Sequence, residues 1–497
     1  MSERQAFAAA WDAGRAQVVV RRLVDDLETP VSAYLKLGLD QPYAFLLESV
    51  EGGAWRGRYS VIALKPDLVW RCFGDRAEVA RGGDAIAEER FEPEAQPALQ
   101  SLRALIDASR IDFDQPGLPP MAAGLFGVFG YDVVRLVEPL GPAKDDPLNL
   151  PDAVLARPSL VAVFDGVAQE IILACPARPS AVETADQAWD RIQALLDETE
   201  AALRAPAPRP AATPPASAQV PLQPSLTLEA YSTNVEAAKD YIRAGDIFQI
   251  VPSQRFSAPY QGSPFAFYRS LRRTNPSPFL YFLNFGGFQL AGSSPEILAR
   301  LRGGKLTLRP IAGTRPRGAT PEEDARLEAE LLADPKERAE HLMLLDLGRN
   351  DVGRIAQPAS VRVAESFVIE RYAHVMHIVS EVEGQARPDL HPVEVLTATL
   401  PAGTLSGAPK VRAMQIIDEL ETTKRGVGYA GAAGYISAMG EVDLCIVLRT
   451  ALFADGQIHV QAGGGVVADS DPRAEYDETL HKSRSLRRAA EEAWRFE

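Results

Sequence analysis

Ala432 to Ala462 reads AAGYISAMGEVDLCIVLRTALFADGQIHVQA. Ala432 to Ser437, Val442 to Leu452 and Ile458 to Ala462 are rich in β-branched and aromatic residues and read as strands. Met439-Gly440 and Asp455-Gly456 mark turns between them. Together they predict a meander. Similar signals lie upstream. Ala44 to Val50 and Tyr59 to Leu64 flank a Gly52-Gly53 turn, Val69 to Phe73 and Arg76 to Ala80 flank Gly74-Asp75, Gly124 to Phe129 is a buried-looking run, and Ser159 to Phe164 is another strand, turning at Asp165-Gly166. Phe248 to Phe256, Phe279 to Phe285 and Gln289 to Gly292 add strands. Helical stretches fall between these groups: Ala181 to Leu203, a helix capped by Thr227 or Ser232 and running to Ala244, Glu322 to Leu347 with a bend near Asp334-Pro335, and a helix N-capped by Ser406 with Val411, Met414, Ile417 and Leu420 as its stripe. Hairpins and helices in this arrangement favour an α+β fold over a doubly wound parallel sheet.

The chain has 497 residues, room for two to four units at ~150 residues each. Ala205 to Pro224 (APAPRPAATPPASAQVPLQP) has little to bury and many fixed φ angles, so it reads as a linker or long surface loop. The boundaries that follow are 1–180, 181–224 and 225–497. A net charge of -15 argues against nucleic acid, which demands clustered Lys and Arg. Cys72, Cys175 and Cys445 lie far apart with no CxxC, which suits a reducing cytoplasm. The opening MSERQAFAAAWDAGR lacks the apolar core of a signal peptide, and no run of about 20 apolar residues predicts a membrane span.

Phosphate-binding, nucleophile-elbow and zinc spacings are absent, and His374 and His377 alone make a weak metal pair. Strand alternation in Val442 to Thr450 (VDLCIVLRT) puts Cys445, Val447 and Arg449 on one face. Arg449 then either reaches solvent at a strand end or forms a bidentate clamp for a carboxylate. Gly463 to Gly465 are either a tight turn or a place where backbone N–H groups approach an anion. Glu337, Glu340 and His341 share a helix face, and Glu475 and Glu478 repeat the i,i+3 spacing. These carboxylates are either a solvated face with Lys336–Glu340 and Glu478–Lys482 pairs, or a set of hard oxygen ligands suited to Mg²⁺.

Taken in order, GDIFQIVPS (Gly245 to Ser253), NPSP (Asn275 to Pro278), GSSPE (Gly292 to Glu296), PIAGTRPRG (Pro310 to Gly318), EHLMLLDLGRNDVGR (Glu340 to Arg354), VMHIV (Val375 to Val379), GTLSGAPK (Gly403 to Lys410) and GVGYAGAAG (Gly426 to Gly434) resemble the chorismate-utilising enzymes. Arg449, Gly463 to Gly465 and Glu478 extend the match, which is closest to the anthranilate synthase component I branch. LLES (Leu46 to Ser49) and RYS (Arg58 to Ser60) look like that branch's tryptophan-sensing region. Two positions discriminate. Isochorismate and salicylate synthases carry a water-activating lysine where this chain has Gln249, and aminodeoxychorismate synthases typically carry a nucleophilic lysine where it has Ala312. Aminodeoxyisochorismate synthase and aminodeoxychorismate synthase component I are the competing readings within the family.

The resemblance implies an α+β body of large antiparallel sheets packed with helices, with N- and C-terminal parts interleaved. It makes residues 1–180 the tryptophan-regulatory region and 225–497 the chorismate-binding catalytic region. It implies conversion of chorismate and ammonia to anthranilate and pyruvate, with Mg²⁺ as cofactor on Glu340 and Glu478, supported by Glu337 and Glu475. Gly313, Thr314, Tyr429, Arg449, Gly463, Gly464, Gly465 and Lys482 would position chorismate. Glu296 would be the general acid, His377 would serve the pyruvate elimination, and Thr404 would orient substrate. Glu48, Ser49, Arg58, Pro278, Phe279 and Leu280 would line an inhibitory tryptophan site, with Phe279-Leu280 standing where family members often have Tyr-Met. The chain ends soon after Glu478 and no cysteine sits in a glutaminase-like motif. A separate glutamine amidotransferase subunit (component II) is therefore expected in a cytoplasmic hetero-oligomer.

Overall fold

The computed structural model describes residues 2–49, 57–113, 117–208, 219–372 and 375–497. The Gly52-Gly53 turn, residues 209–218 of the Pro/Ala-rich stretch and His374 lie outside them. Among the described residues every strand ladder is antiparallel; the parallel contact is an isolated bridge between Asp145 and Thr423. This is the α+β architecture that the hairpin signals predict.

Two long strands, Tyr59–Phe73 and Ala153–Asp165, pair along their whole length and join two leaves of sheet. One leaf continues from Tyr59–Phe73 through Phe45–Glu48 to Phe279–Asn284, Phe288–Ser294, Thr450–Ala454 and Gln457–Gly463. The other continues from Ala153–Asp165 through Gly124–Phe129 to Ala432–Ser437, Val442–Ile446 and Ile297–Arg302. Each leaf therefore crosses from residues before the Pro/Ala-rich stretch to residues after it, at Leu280↔Glu48 and at Ala432↔Phe129. The end of that stretch is itself pinned, since Gln223–Pro224 pairs with Phe256 and Ser257.

Gly124–Phe129, the run that looks buried in the sequence, is buried along its whole length, and other strands are covered on both faces. Along Phe279–Asn284, Tyr281 and Leu283 pack between the leaves with Phe45, Phe126 and Val163. Leu280 and Phe282 point the other way, onto the helices Pro264–Thr274 and Ala185–Arg204. The second leaf turns Trp70, Leu155 and Leu444 onto Ala98–Ala108 and Pro392–Thr399. Helices thus cover the outer faces, and the layered core holds the inner ones. Among the described residues no helix is long and apolar enough to cross a membrane.

Local structure departs from the sequence reading at five places. Tyr59 to Leu64 and Val69 to Phe73 belong to one strand, irregular between Pro66 and Leu68. Phe248 to Phe256 breaks at Val251-Pro252 into Gln249–Ile250 and Ser253–Pro259, because proline cannot donate to a ladder. Ser406 is no N-cap: it ends a 3-10 turn, and the helix Lys410–Leu420 begins after Pro409. The bend at Asp334-Pro335 is a full break, with Asp334 ending Pro321–Ala333 and capping Pro335–Gly353. Val442 to Leu452 splits at Val447 to Arg449, where Arg449 takes φ +48°. The strict alternation that put Cys445 and Arg449 on one face fails there.

Candidate functional site

Two helices bring carboxylates to one cavity. Each begins Asp-Pro, a capping residue followed by a proline that needs no N–H partner. Asp334 accepts from the N–H groups of Lys336 and Glu337, and Asp471 accepts from that of Ala474. Glu337 and Glu340 therefore ride the start of Pro335–Gly353, and Glu475 and Glu478 the start of Pro472–Glu492. Glu337 and Glu475, in the first turns, are favoured there by the positive ends of the helices. Glu337, Glu340, Glu478 and Lys482 line the cavity together with Gly313, Thr314, His377 and Arg449. Its inner part adds Glu296, Thr404, Tyr429, Gly463 and Gly465. Most residues singled out from the sequence for catalysis and substrate binding therefore meet in one place.

Glu296 sits between the strands Phe288–Ser294 and Ile297–Arg302, its carbonyl accepting from the N–H of Ile446 at 3.0 Å. Burial pushes its carboxyl up to about 8, against the opposing pull of the Thr404 hydroxyl, the Ile311 backbone and Arg449. Thr404 donates to Glu296 Oε2 at 3.2 Å. A carboxyl in this state keeps its proton at neutral pH and can deliver it. His377 is the opposite case. Its Nδ1 lies 2.8 Å from the Gly313 carbonyl and 3.1 Å from Thr314 Oγ1. That carbonyl requires the proton on Nδ1, which leaves Nε2 as the basic nitrogen. Burial lowers the imidazole's pKa, so the ring is neutral at pH 7. The cavity thus holds a protonated acid and an unprotonated base.

Arg449 supplies the cation. Its carbonyl accepts from the Ser293 N–H at 3.2 Å, and among the described residues its guanidinium has no ion-pair partner. Burial lowers its pKa, while Tyr372 and Glu296 act in the opposite direction. An unpaired guanidinium in a cavity wall is a receptor for an anion. Gly463 and Gly465 line the same part of the cavity and admit no side chain. A Cβ on Gly463 would stand 2.6 Å from the Pro252 carbonyl and 2.9 Å from Tyr429 Oη, and one on Gly465 would meet Gln249 Nε2 at 2.6 Å. Gly313, at φ +64°, needs glycine for its conformation. Burial pushes the Tyr429 phenol up to about 12, so it remains a neutral donor.

The carboxylates are less simply arranged. Lys482 Nζ lies 2.7 Å from Glu478 Oε1 and donates to the Gly463 carbonyl at 2.8 Å, so the Glu478–Lys482 pair exists. The Lys336–Glu340 pair does not: Lys336 faces Asp469 at 3.8 Å, and Glu340 accepts from Gln249 Nε2 at 3.3 Å. Glu337 accepts from Arg315 at 3.0 Å. Burial first, then the Glu337 and Glu478 charges, raise the pKa of Glu340. Glu475 takes the Ser470 hydroxyl on Oε1 and leaves Oε2 buried without a hydrogen-bond partner. Among the described residues no three such side chains close into a cage. Glu475 does not line the cavity, and its orphaned oxygen feels the Glu478 charge; the carboxylates that do line it fit a hard cation completed by water and substrate oxygens.

A second cavity lies on the far side of a shared wall. Glu48, Ser49, Arg58, Pro278, Phe279 and Leu280 all line it. Glu48 is held by Tyr268 and, at 2.9 Å, by Arg272. Arg58 donates to Asp165 through Nε at 3.0 Å and Nη2 at 2.7 Å. Cys445 lines this cavity and Arg449 the first, so the break at Val447 to Arg449 separates residues that alternation would unite.

Three features escaped the sequence reading. Gln249 braces Glu340. Tyr372 belongs to both cavities. The i,i+4 pair Glu421–Arg425 looks like any surface pair in sequence but is buried. Glu421 accepts from Ser253, and Arg425 holds the Leu405 and Val251 carbonyls while lying 5.4 Å from the Tyr429 ring centroid.

Comparison with known proteins agrees with this geometry. Residues 46–488 match the model of the chorismate binding enzyme family. The chain is 55% identical to anthranilate synthase component 1 of Cereibacter sphaeroides, over 100% of this chain and 99% of that one. Its fold is similar to the crystal structure of anthranilate synthase component I from Streptococcus pneumoniae, with a TM-score of 0.76, 37% identity, and coverage of 94% of this chain and 99% of that one. The menaquinone-specific isochorismate synthase of Escherichia coli shares the fold at 19% identity and a TM-score of 0.70, covering 96% of this chain and 95% of that one.

Proposed function

The chain belongs to the chorismate binding enzyme family, and from that premise we propose that it converts chorismate and ammonia to anthranilate, pyruvate and water as the aminating component of an anthranilate synthase. The observation that carries this reading is the pairing of Glu296, protonated at pH 7, with a neutral His377 across one cavity.

Arg449, Tyr429, Thr314, Lys482 and the backbone of Gly313 and Gly463 to Gly465 bind the two carboxylates of chorismate. Glu296 gives its proton to the departing C4 hydroxyl while ammonia adds at C2, and Thr404 holds that carboxyl in place. His377 Nε2 then accepts the ring proton lost as pyruvate leaves. Ala312 and Gln249 place no amine where the chemistry of other family branches needs lysine, so ammonia meets no competing nucleophile there. Glu340 and Glu478, backed by Glu337 and Glu475, are the residues that would hold Mg²⁺, which when bound supplies positive charge for the ring carboxylate. Local cations, and not the net charge of -15, decide whether a dianion binds.

Tryptophan is the ligand proposed for the second cavity, as a feedback inhibitor, and a glutamine amidotransferase subunit is the proposed source of ammonia. The test is incubation with chorismate, ammonium and Mg²⁺, reading anthranilate fluorescence and pyruvate, then repetition with glutamine in place of ammonium. Anthranilate from ammonium but not from glutamine is expected. A non-fluorescent amino adduct that retains its enolpyruvyl group would identify an aminodeoxyisochorismate synthase instead.

A further inference from the structure

Tyr372 is buried, and its two ends lie in different cavities. Its hydroxyl donates to Glu370 Oε2 at 2.7 Å, and Glu370 Oε1 accepts from Arg309 at 2.6 Å. Glu370 and Arg309 line the second cavity, the one with Glu48 and Phe279. The ring of Tyr372 packs edge-on against the imidazole of His377, with 5.5 Å between centroids and 64° between planes. Its backbone is fixed independently: the carbonyl accepts from Arg317 at 2.9 Å and the N–H donates to the Val375 carbonyl at 2.8 Å.

We propose that Tyr372 is the positioning residue through which occupancy of the second cavity controls His377. With the backbone held from both sides, the freedom left to this residue is rotation of its side chain. A ligand that displaces Glu370 or Arg309 shifts the acceptor that Glu370 offers the hydroxyl. The ring must then re-seat against His377, whose own orientation depends on the Gly313 carbonyl. Pro295 and Ile311 complete the wall, and neither bears a group that can be anchored in one cavity while touching a base in the other. The phenol does both.

This inference rests on the reading of the second cavity as the tryptophan site, and the experiment separates the two. Tyr372→Phe keeps the ring and removes the hydroxyl. Tryptophan binding is measured by calorimetry without chorismate, and inhibition is measured as the half-inhibiting concentration relative to each protein's uninhibited rate. The expected result is tryptophan affinity within about twofold of wild type, with the half-inhibiting concentration raised about tenfold or more, the range of ordinary coupling between sites. Glu370→Gln, which keeps side-chain length while weakening the acceptor, should shift inhibition in the same direction and serves if Tyr372→Phe melts early. Inhibition that tracks binding unchanged in both variants overturns the proposal. A wild-type chain that binds no tryptophan overturns the cavity's reading, and the coupling with it.

Discussion

The Thr404 hydroxyl donates to Glu296 Oε2 across 3.2 Å. That contact favours the ionised carboxyl, yet burial outweighs it and leaves the group at about 8. The step that needs a protonated Glu296 should therefore slow as pH rises through about 8. Thr404→Val removes the donor and should move this alkaline limb to higher pH while lowering kcat, because the carboxyl is also less well aimed. Profiles of kcat between pH 6 and 10, at saturating free ammonia, check both. A limb that stays put in Thr404→Val means another group titrates.

Glu296 also carries a cost in stability. Its folded pKa lies above the unfolded value, so the folded state holds an extra proton between about 4.5 and about 8, and stability falls as pH rises through that window. At pH 7 the loss is about 3 kcal/mol. Glu296→Gln removes it. The variant should lose activity and melt at higher temperature than wild type at pH 7, with the gap closing toward pH 5. Equal melting at both pH values would mean the carboxyl is not desolvated.

Much of this was legible, and the limits have physical causes. Hairpin turns such as Gly74-Asp75 announce themselves because few residues tolerate their backbone angles. The spacing of Glu337, Glu340, Glu475 and Glu478 could likewise be read locally, although Asp334-Pro335 reads there as a bend and not as a helix start. What joins the two helices is long-range: strands from before and after the Pro/Ala-rich stretch share each leaf, and no local pattern encodes that register. Arg449 shows the failure most clearly. Alternation predicts its face correctly only while the strand continues, and a single residue at φ +48° ends the count. Glu421–Arg425 and Tyr372 were missed because burial, which turns an ordinary pair or ring into a brace, is a property of everything packed around them.

The carboxylate pair can be tested by removing one charge. Glu340 is desolvated next to Glu337 and Glu478, and its pKa is raised accordingly. Glu340→Gln should relieve that repulsion and leave the fold intact. It should weaken Mg²⁺-dependent activity by at least about 100-fold, in line with losses at metal ligands and their supports. Full Mg²⁺-dependent turnover in the variant would remove Glu340 from the metal assignment.

Tryptophan at millimolar concentration should inhibit. Arg58 is held to Asp165 through Nε and Nη2 and faces the second cavity, so its guanidinium is fixed in the cavity wall. Arg58→Gln should raise the half-inhibiting concentration about tenfold or more, the worth of one hydrogen bond to a charged group. No inhibition of wild type at millimolar tryptophan would sink the regulatory reading.

His377 offers the sharpest division between family branches. Its Nδ1–H is spent on the Gly313 carbonyl, so only Nε2 is free to take a proton. Asparagine can reproduce the donor to that carbonyl but has no basic nitrogen. In His377→Asn, ammonia addition and loss of the C4 hydroxyl depend on Glu296 and should continue, whereas loss of pyruvate should not. The variant should accumulate a non-fluorescent amino adduct, with anthranilate formation down by at least about 100-fold, the ordinary contribution of a positioned base. Chromatography of the reaction with mass detection distinguishes the adduct from unreacted chorismate. Anthranilate formed at the wild-type rate would show that another group, or water, takes the ring proton.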